Sequence, residues 1–242
     1  MARSSEQGGL GNVRVEKMLR KTLLSILLLT FTVTLSAQED PEYRAEIGGG
    51  IGVVSYQGDF NGNLFKNMQP MFTLLGRYKF NPRMALALNV SYGKIKGSSK
   101  DVTSYLPLTE EVSFNHGLLD VGVRYEQNFW AYGTGKEYRG AKRITPYIFL
   151  GLGATFVKPD KTEVAFNFPI GAGVKYKVGS RSNLALEWAM HFTTSDLLDG
   201  VKDPYGIKSS GMFKNTDCYS HFRLSFTYDL WAKCKTCHND RE

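Results

Sequence analysis

The C-terminal segment holds the residue types with the most evident chemistry. Cys234 and Cys237 are separated by two residues, and His238 follows directly. This spacing is that of covalent haem attachment in c-type cytochromes, and it also fits a redox dithiol, part of a zinc site or a disulfide. A haem would need a helical pocket and zinc would need a fourth ligand, and the sequence nearby offers neither. We therefore expect no cofactor.

Two interpretations of the tail cysteines stay open. Cys234 and Cys237 could form a local disulfide, or one of the thiols could form a mixed disulfide with another protein. Cys218 is excluded as their partner. Its 16-residue separation from Cys234 corresponds to about 50 Å of extended strand, whereas a disulfide needs Cα atoms within about 7 Å.

The N-terminus predicts export. Residues 23–35 form an apolar run without charge, Arg20 and Lys21 precede it, and Ala37 ends it with a small residue. This is the pattern of a cleaved signal peptide, and the run is shorter than the roughly 20 residues of a membrane-spanning helix. We expect cleavage after Ala37 and an oxidising compartment in which disulfides persist. Translation could start at Met1 or at Met18.

The charge balance argues against a nucleic-acid partner. The chain has 30 Lys and Arg against 23 Asp and Glu, a mild excess without a basic block. Three cysteines in an exported chain leave at least one thiol free or paired with another molecule.

The rest of the chain alternates with a period of two residues, as strands with one apolar face do. The run "RMALALNVSYG" is the clearest case, with Met84, Leu88 and Tyr92 on one face. Eight segments of about ten or more residues alternate in this way, the length of a tilted strand that crosses a membrane. Glycines such as those of "IGGGIG" are expected inside, where a narrow barrel has little room. A soluble sandwich would not need them.

We therefore predict an all-β fold, an eight-stranded antiparallel outer-membrane barrel. Its domains are a signal region at 1–37, the barrel at 38–231 and a periplasmic cysteine-containing tail at 232–242. Aromatic residues near the segment ends are expected to form interfacial girdles: Tyr56, Phe80, Tyr92, Phe156, Tyr176, Tyr228 and Trp231.

Charged side chains fall on the inward face. They could line a selective pore or form a mutually paired plug, and eight strands favour the plug because buried charges must be matched. The inward set is Glu46, Arg77, Asp120, Arg124, Glu126, Lys175, Glu187, His191, Arg223 and Asp229.

One connection breaks the rule that periplasmic turns are short. With both termini in the periplasm, the turns at 81–83 and 179–182 fit the rule, but residues 130–145 form a long segment. Basic and aromatic residues alternate in it, which suits a docking surface and also suits a solvated turn. The candidate docking residues are Lys136, Tyr138, Arg139, Lys142 and Arg143.

The chain resembles the PorG family of small outer-membrane barrels in the type IX secretion system. The resemblance rests on "AEIGGGIGVVSYQGDFN", "YKFNPRMALALNVSYG", "YIFLGLGATF" and "FPIGAGVKYKV". It implies an accessory of a protein secretion machine that contacts a periplasmic ring, built from a lipoprotein and its partner, without conducting cargo. It brings no catalytic residues and implies no small-molecule substrate; the partners are the ring and membrane lipid.

Three other functions compete with this interpretation. A lipid A-modifying enzyme would need a nucleophile and a base, and the candidates are His191 with Ser195 or Ser220 with His221. No oriented triad is visible, so we expect no enzyme. An adhesin would use the loops at 97–113 and 194–217, and a purely structural barrel shares every feature except the tail and the basic connection.

Overall fold

The computed structural model describes residues 41–57, 67–98, 113–135, 140–158, 163–195 and 217–232. Outside these ranges lie the predicted signal peptide, the tail cysteines and three of the candidate docking residues (Lys136, Tyr138 and Arg139). Most residues of the long loops predicted at 97–113 and 194–217 also lie outside them.

Eight antiparallel strands form a closed barrel in which each strand pairs with the next and the last pairs with the first. This confirms the predicted fold class. The strands are β1 (Tyr43–Gln57), β2 (Gln69–Asn81), β3 (Met84–Ser98), β4 (Ser113–Asn128), β5 (Ile144–Val157), β6 (Glu163–Lys177), β7 (Ser182–Thr193) and β8 (Cys218–Ala232).

The two ends of the barrel differ. We call the end that holds Tyr43 and Ala232 the proximal end; the β2–β3, β4–β5 and β6–β7 connections also lie there. The β2–β3 connection is tight because Asn81 accepts a hydrogen bond from the Arg83 backbone N–H at 2.8 Å, which closes an Asx turn. The distal end holds Gln57 and Cys218.

Alternation is nearly complete along β3, where buried and exposed residues succeed one another from Ala85 to Gly97. The outer surface is apolar, as hydrocarbon requires. Five of the predicted girdle residues are exposed on it: Phe80, Tyr92, Tyr176, Tyr228 and Trp231. The prediction for Tyr56 was wrong. Its side chain is fully buried inside the barrel, since β1 turns its even-numbered residues inward from Glu46 onward.

Glycines inside the barrel make room for large polar side chains. A Cβ on Gly50 would lie 3.1 Å from Cγ and Cδ of Arg223, and one on Gly151 would lie 2.8 Å from Cβ of Arg124. The expectation of inward glycines therefore holds for most of the run "IGGGIG". Gly49 is the exception, because its odd position places it on the outer face.

The described ranges contain no helix that is long and apolar enough to cross a membrane.

Candidate functional site

Buried ion pairs fill the proximal half of the interior. Glu187 accepts two hydrogen bonds from the guanidinium of Arg124, at 2.8 and 2.7 Å, and forms an ion pair with Arg223. The Tyr147 hydroxyl donates to the same carboxylate at 2.5 Å. Bidentate geometry and several donors are what a carboxylate removed from water needs.

The network continues around the barrel through a second carboxylate. Glu126 accepts hydrogen bonds from Arg124 Nε at 2.9 Å, Arg77 Nη2 at 3.2 Å and Lys175 Nζ at 2.7 Å. Arg77 also pairs with Glu46. Because the charges are mutually paired, this part of the interior is a solid polar plug.

Two lysines close the proximal edge of this network. Lys79 contacts Asp229 at 2.5 Å and Glu46 at 2.9 Å, and Lys177 pairs with Asp229. Sequence reasoning did not include Lys177 or Tyr147 among the interior residues. The two-residue alternation that placed Lys175 inside would also have placed Lys177 and Tyr147 inside, since each lies on the inward face of its strand.

A layer of hydrogen-bonded polar side chains occupies the middle of the barrel. Asp120 accepts hydrogen bonds from Tyr219 Oη at 2.8 Å and Asn167 Nδ2 at 2.5 Å. The His191 ring stacks on Tyr219 at 4.4 Å between centroids, and its Nε2 lies 3.1 Å from Nδ1 of His221. A cavity of about 20 Å³ adjoins this layer, which is room for about one water molecule.

The distal half of the interior is apolar, which the sequence interpretation did not anticipate. Tyr56 and Phe114 meet edge to face at 5.0 Å, and the Tyr56 hydroxyl donates to Asp217 at 2.5 Å. The cluster is Val54, Tyr56, Met71, Ile95, Phe114, Leu118, Val157, Ala165 and Tyr219. Paired charges thus fill the proximal part of the described interior, and this cluster packs in the distal part.

All ten residues of the expected inward set are buried inside the barrel: Glu46, Arg77, Asp120, Arg124, Glu126, Lys175, Glu187, His191, Arg223 and Asp229.

The long β4–β5 connection lies across the proximal end, and we call its described residues, 129–135 and 140–143, the strap. Tyr132 is its innermost side chain: it is 7% exposed, and its hydroxyl donates to Asn183 Oδ1 at 2.9 Å. The ammonium groups of Lys79 and Lys177 lie 5.8 and 5.7 Å from the ring centroid, which is cation–π distance. Burial raises the pKa of Tyr132 well above its usual value.

The strap is held at both of its sides. Its two arms are joined by the Gly133 N–H to Lys142 carbonyl and the Lys142 N–H to Ala131 carbonyl bonds, at 3.1 and 2.7 Å. On the far side, Thr134 donates through its hydroxyl (2.7 Å) and its N–H (3.2 Å) to Glu42, which precedes β1. The described residues of the strap are therefore held by specific contacts.

Two of the candidate docking residues lie on the outer surface of the strap. Lys142 and Arg143 are exposed. Lys142 Nζ lies 4.4 Å from the Trp130 ring centroid, and Arg143 Nε donates to the Thr134 carbonyl at 3.0 Å. Both side chains are therefore presented by a folded surface.

The candidate catalytic pairs do not form in the described residues. His191 and His221 face the interior and contact each other, Asn167 and Glu187. Ser220, next in sequence to His221, points to the other face of β8 and accepts from Gln57 Nε2 at 3.0 Å. Neither histidine is hydrogen-bonded to a serine within the part of the chain that is described.

The described residues also contain no cluster of metal-ligating side chains. The half-buried Cys218 has no disulfide partner among them. Cys234, Cys237 and His238 fall outside the described ranges, so the local and the mixed disulfide both remain predictions, as does the expectation of no cofactor.

A closed eight-stranded barrel with an apolar exterior and buried ion pairs in its interior defines a small transmembrane β-barrel. Residues 24–217 match the family described as outer membrane protein beta-barrel domain, and the chain belongs to that family. The protein is therefore an outer-membrane barrel.

Solved structures of small outer-membrane barrels are similar to the chain at low sequence identity. Neisserial surface protein A is 12% identical, with a TM-score of 0.47 over 77% of this chain and 97% of that chain. OprG from Pseudomonas aeruginosa is 11% identical, with a TM-score of 0.46 over 81% and 99%. The outer membrane enzyme PagL is 11% identical, with a TM-score of 0.37 over 76% and 99%. Similarities this distant carry no argument about function. No curated protein sequence is significantly similar to the chain.

Proposed function

We propose that this protein is a non-enzymatic accessory barrel of a type IX protein secretion machine, and that its proximal end docks a periplasmic ring complex at the outer membrane. The observation that carries the proposal is the strap. A connection that could be a tight turn instead crosses the barrel end, buries Tyr132 and bonds to Glu42. It therefore presents a fixed surface at the end where β1 begins and β8 ends.

The filled interior supports an anchoring role. Conduction of a polypeptide would require a lumen, and eight strands leave an interior only wide enough for side chains. Here that interior holds the paired charges of Glu126 and Glu187 and, above them, the apolar cluster around Tyr56. A barrel of this kind contributes position and surface.

The charge of the proximal end supports an acidic partner surface. Its exposed cations come from β1 and from all three connections: Arg44, Arg83, Lys142, Arg143 and Arg181. The one carboxylate outside the interior among the described residues of this end, Glu42, is engaged by Thr134. Two of these cations lie beside aromatic rings, Lys142 by Trp130 and Arg181 by Tyr43, and such pairs suit a docking surface.

The identity of the partner follows from the resemblance to the PorG family, which implies a ring of a lipoprotein and its partner protein. The proposal includes periplasmic termini, as in other small barrels. In this orientation Cys234 and Cys237 would extend from β8 toward the ring, either as a local disulfide or as a covalent tether.

Charge reversal on the strap tests the docking. K142E/R143E should lower recovery of the ring subunits with the affinity-tagged barrel from solubilised outer membranes by about tenfold, since charges at an interface rim govern encounter and register. The control is K158E, which reverses an exposed lysine at the distal end. Unchanged recovery with the strap variant would contradict the proposal.

The tail is tested separately, by a non-reducing gel of membranes whose free thiols are alkylated at lysis. A heavier band that collapses on reduction and contains a ring subunit supports a covalent tether. A monomer band with both tail cysteines protected from alkylation supports the local disulfide, and docking then rests on the strap alone.

A further inference from the structure

An apolar groove of about 500 Å³ crosses the outer surface of the barrel. It exists because Gly49 faces outward and contributes no side chain, whereas its cross-strand neighbours Leu74 on β2 and Phe226 on β8 are large. Ile51, Phe72 and other apolar residues line its walls. The groove lies in the band of exposed hydrophobic residues, so hydrocarbon is its surrounding medium.

The strand register gives the direction of this groove. Along one cross-strand row, Gly49 pairs with Leu74 and Leu74 pairs with Val90; in the other direction, Gly49 pairs with Phe226 and Phe226 with Leu184. Leu184 lies near the proximal start of β7, whereas Val90 lies well along β3. The groove therefore rises from the proximal side toward the distal side as it passes from β7 to β3.

Two lysines continue the outer face of β3 beyond the groove. After Tyr92, which lines the groove, the next outward residues are Lys94 and Lys96. Their Cα atoms are about 7 and 13 Å further along the strand. The residues opposite them on β4 are Gly117 for Lys94 and Asn115 for Lys96, and both lysines are exposed.

Neither lysine has a hydrogen-bond or ion-pair partner among the described residues, and no Asp or Glu occupies an outward position in the described distal strand segments. Exposed cations just above an apolar groove, with an aromatic side chain at the boundary, match the two parts of a lipid: a phosphorylated headgroup and an acyl chain.

We propose that the Gly49 groove and the Lys94–Lys96 pair form one lipid-binding site. An acyl chain lies in the groove, and a phosphate of its headgroup contacts the two ammonium groups. The inference rests on the orientation in the proposed function, in which the distal end faces the cell surface. The ligand is then a phosphorylated glycolipid of the outer leaflet.

The test is native mass spectrometry of the full-length folded protein in mild detergent, titrated with purified lipid A or with phosphatidylglycerol. We expect lipid A to bind in preference, and K94S/K96S to weaken its binding about 25-fold, because each lysine near a lipid surface contributes on the order of a factor of five. The matched control K158S removes another exposed distal lysine and should leave binding unchanged.

A second variant tests the groove. G49L should fill it and weaken the binding of lipid A, whereas G76L adds the same side chain to an outward glycine with nothing within 4 Å and outside the groove. A Cβ at Gly49 would lie 3.2 Å from the Thr73 carbonyl oxygen, so folding is checked by heat-modifiability on gels. If G49L does not fold, the binding of lipid A by K94S/K96S alone tests the site.

Equal binding of lipid A by the wild-type protein and K94S/K96S would overturn the site. A preference for phosphatidylglycerol would overturn the assignment to the outer leaflet and with it the orientation on which the site rests. The two proposals are tested independently. K94S/K96S should lose lipid binding and recover the ring subunits normally, whereas K142E/R143E should lose the ring subunits and bind lipid A normally.

Discussion

Thr134 and Glu42 join the β4–β5 connection to the segment before β1: the Thr134 hydroxyl donates to Glu42 Oε1 at 2.7 Å across 92 positions of sequence. The same carboxylate accepts the Thr134 backbone N–H through its other oxygen, at 3.2 Å. Because β1 and the β4–β5 connection lie on opposite sides of an eight-stranded barrel, this contact fixes the strap across the opening.

Removal of the hydroxyl should loosen the strap. T134V takes away the shorter bond, and a hydrogen bond of this kind contributes about 1 kcal/mol, so the opening equilibrium of the strap should rise roughly fivefold. Hydrogen–deuterium exchange of residues 129–135 measures this. T134S keeps the donor and should exchange like the wild-type protein; equal exchange in T134V and T134S would contradict the role of the bond.

Loss of the central carboxylate should destabilise the barrel strongly. E187A leaves Arg124 and Arg223 facing each other without their shared anion, and an uncompensated buried charge lowers the free energy of unfolding by about 3–5 kcal/mol. Urea unfolding in detergent micelles gives the value. The exposed Lys158 supplies the control: K158A should change stability by less than about 0.5 kcal/mol, and a similar result for E187A would contradict the network.

Substitution of an interior glycine by alanine should destabilise the barrel far more than the same substitution of an exterior glycine. G50A would place a Cβ 2.9 Å from the Leu224 carbonyl oxygen and 3.1 Å from the Arg223 side chain, and overpacking of this kind costs about 1–3 kcal/mol. G76A meets nothing within 4 Å. The folded fraction on unheated gels should fall for the first variant only; a normal folded fraction for G50A would show that the interior can shift.

The protein should not conduct ions. Reconstituted into planar bilayers, the wild-type barrel is expected to give no stepwise current, because the paired charges around Glu126 and the cluster around Tyr56 occupy the interior. Y132A removes the side chain of the strap that enters the barrel end and should also remain silent, since the plug above it is intact. A reproducible open level in either protein would contradict a filled interior.

The sequence was sufficient to predict the fold because a membrane-crossing strand can be recognised from its two-residue period and its length alone. Alternation from Met84 to Tyr92 and its equivalents predicted eight membrane-crossing strands, and parity predicted which charges lie inside. Parity also carried the information that Lys177 and Tyr147 point inward, but without the closed sheet nothing indicated that they would reach Asp229 and Glu187.

The strap and the distal cluster could not be predicted, for a different physical reason. Contacts such as Thr134 with Glu42 depend on closure of the barrel, which brings together residues with no periodic relationship. Tyr56 shows the same limit. An aromatic residue near a strand end suits the interface on average, whereas its actual environment depends on the number of residues from Glu46 and on Phe114 across the barrel.

The bond between Thr134 and Glu42 also has a consequence for assembly. In an open sheet, the segment before β1 is at one edge and the β4–β5 connection is near the middle, so the two are far apart. They meet only when β1 and β8 have joined along the seam from Tyr43–Ala232 to Gln57–Cys218. The folded strap is thus a marker of a finished barrel, and a protein that recognises it would select completed barrels over those still open at the seam.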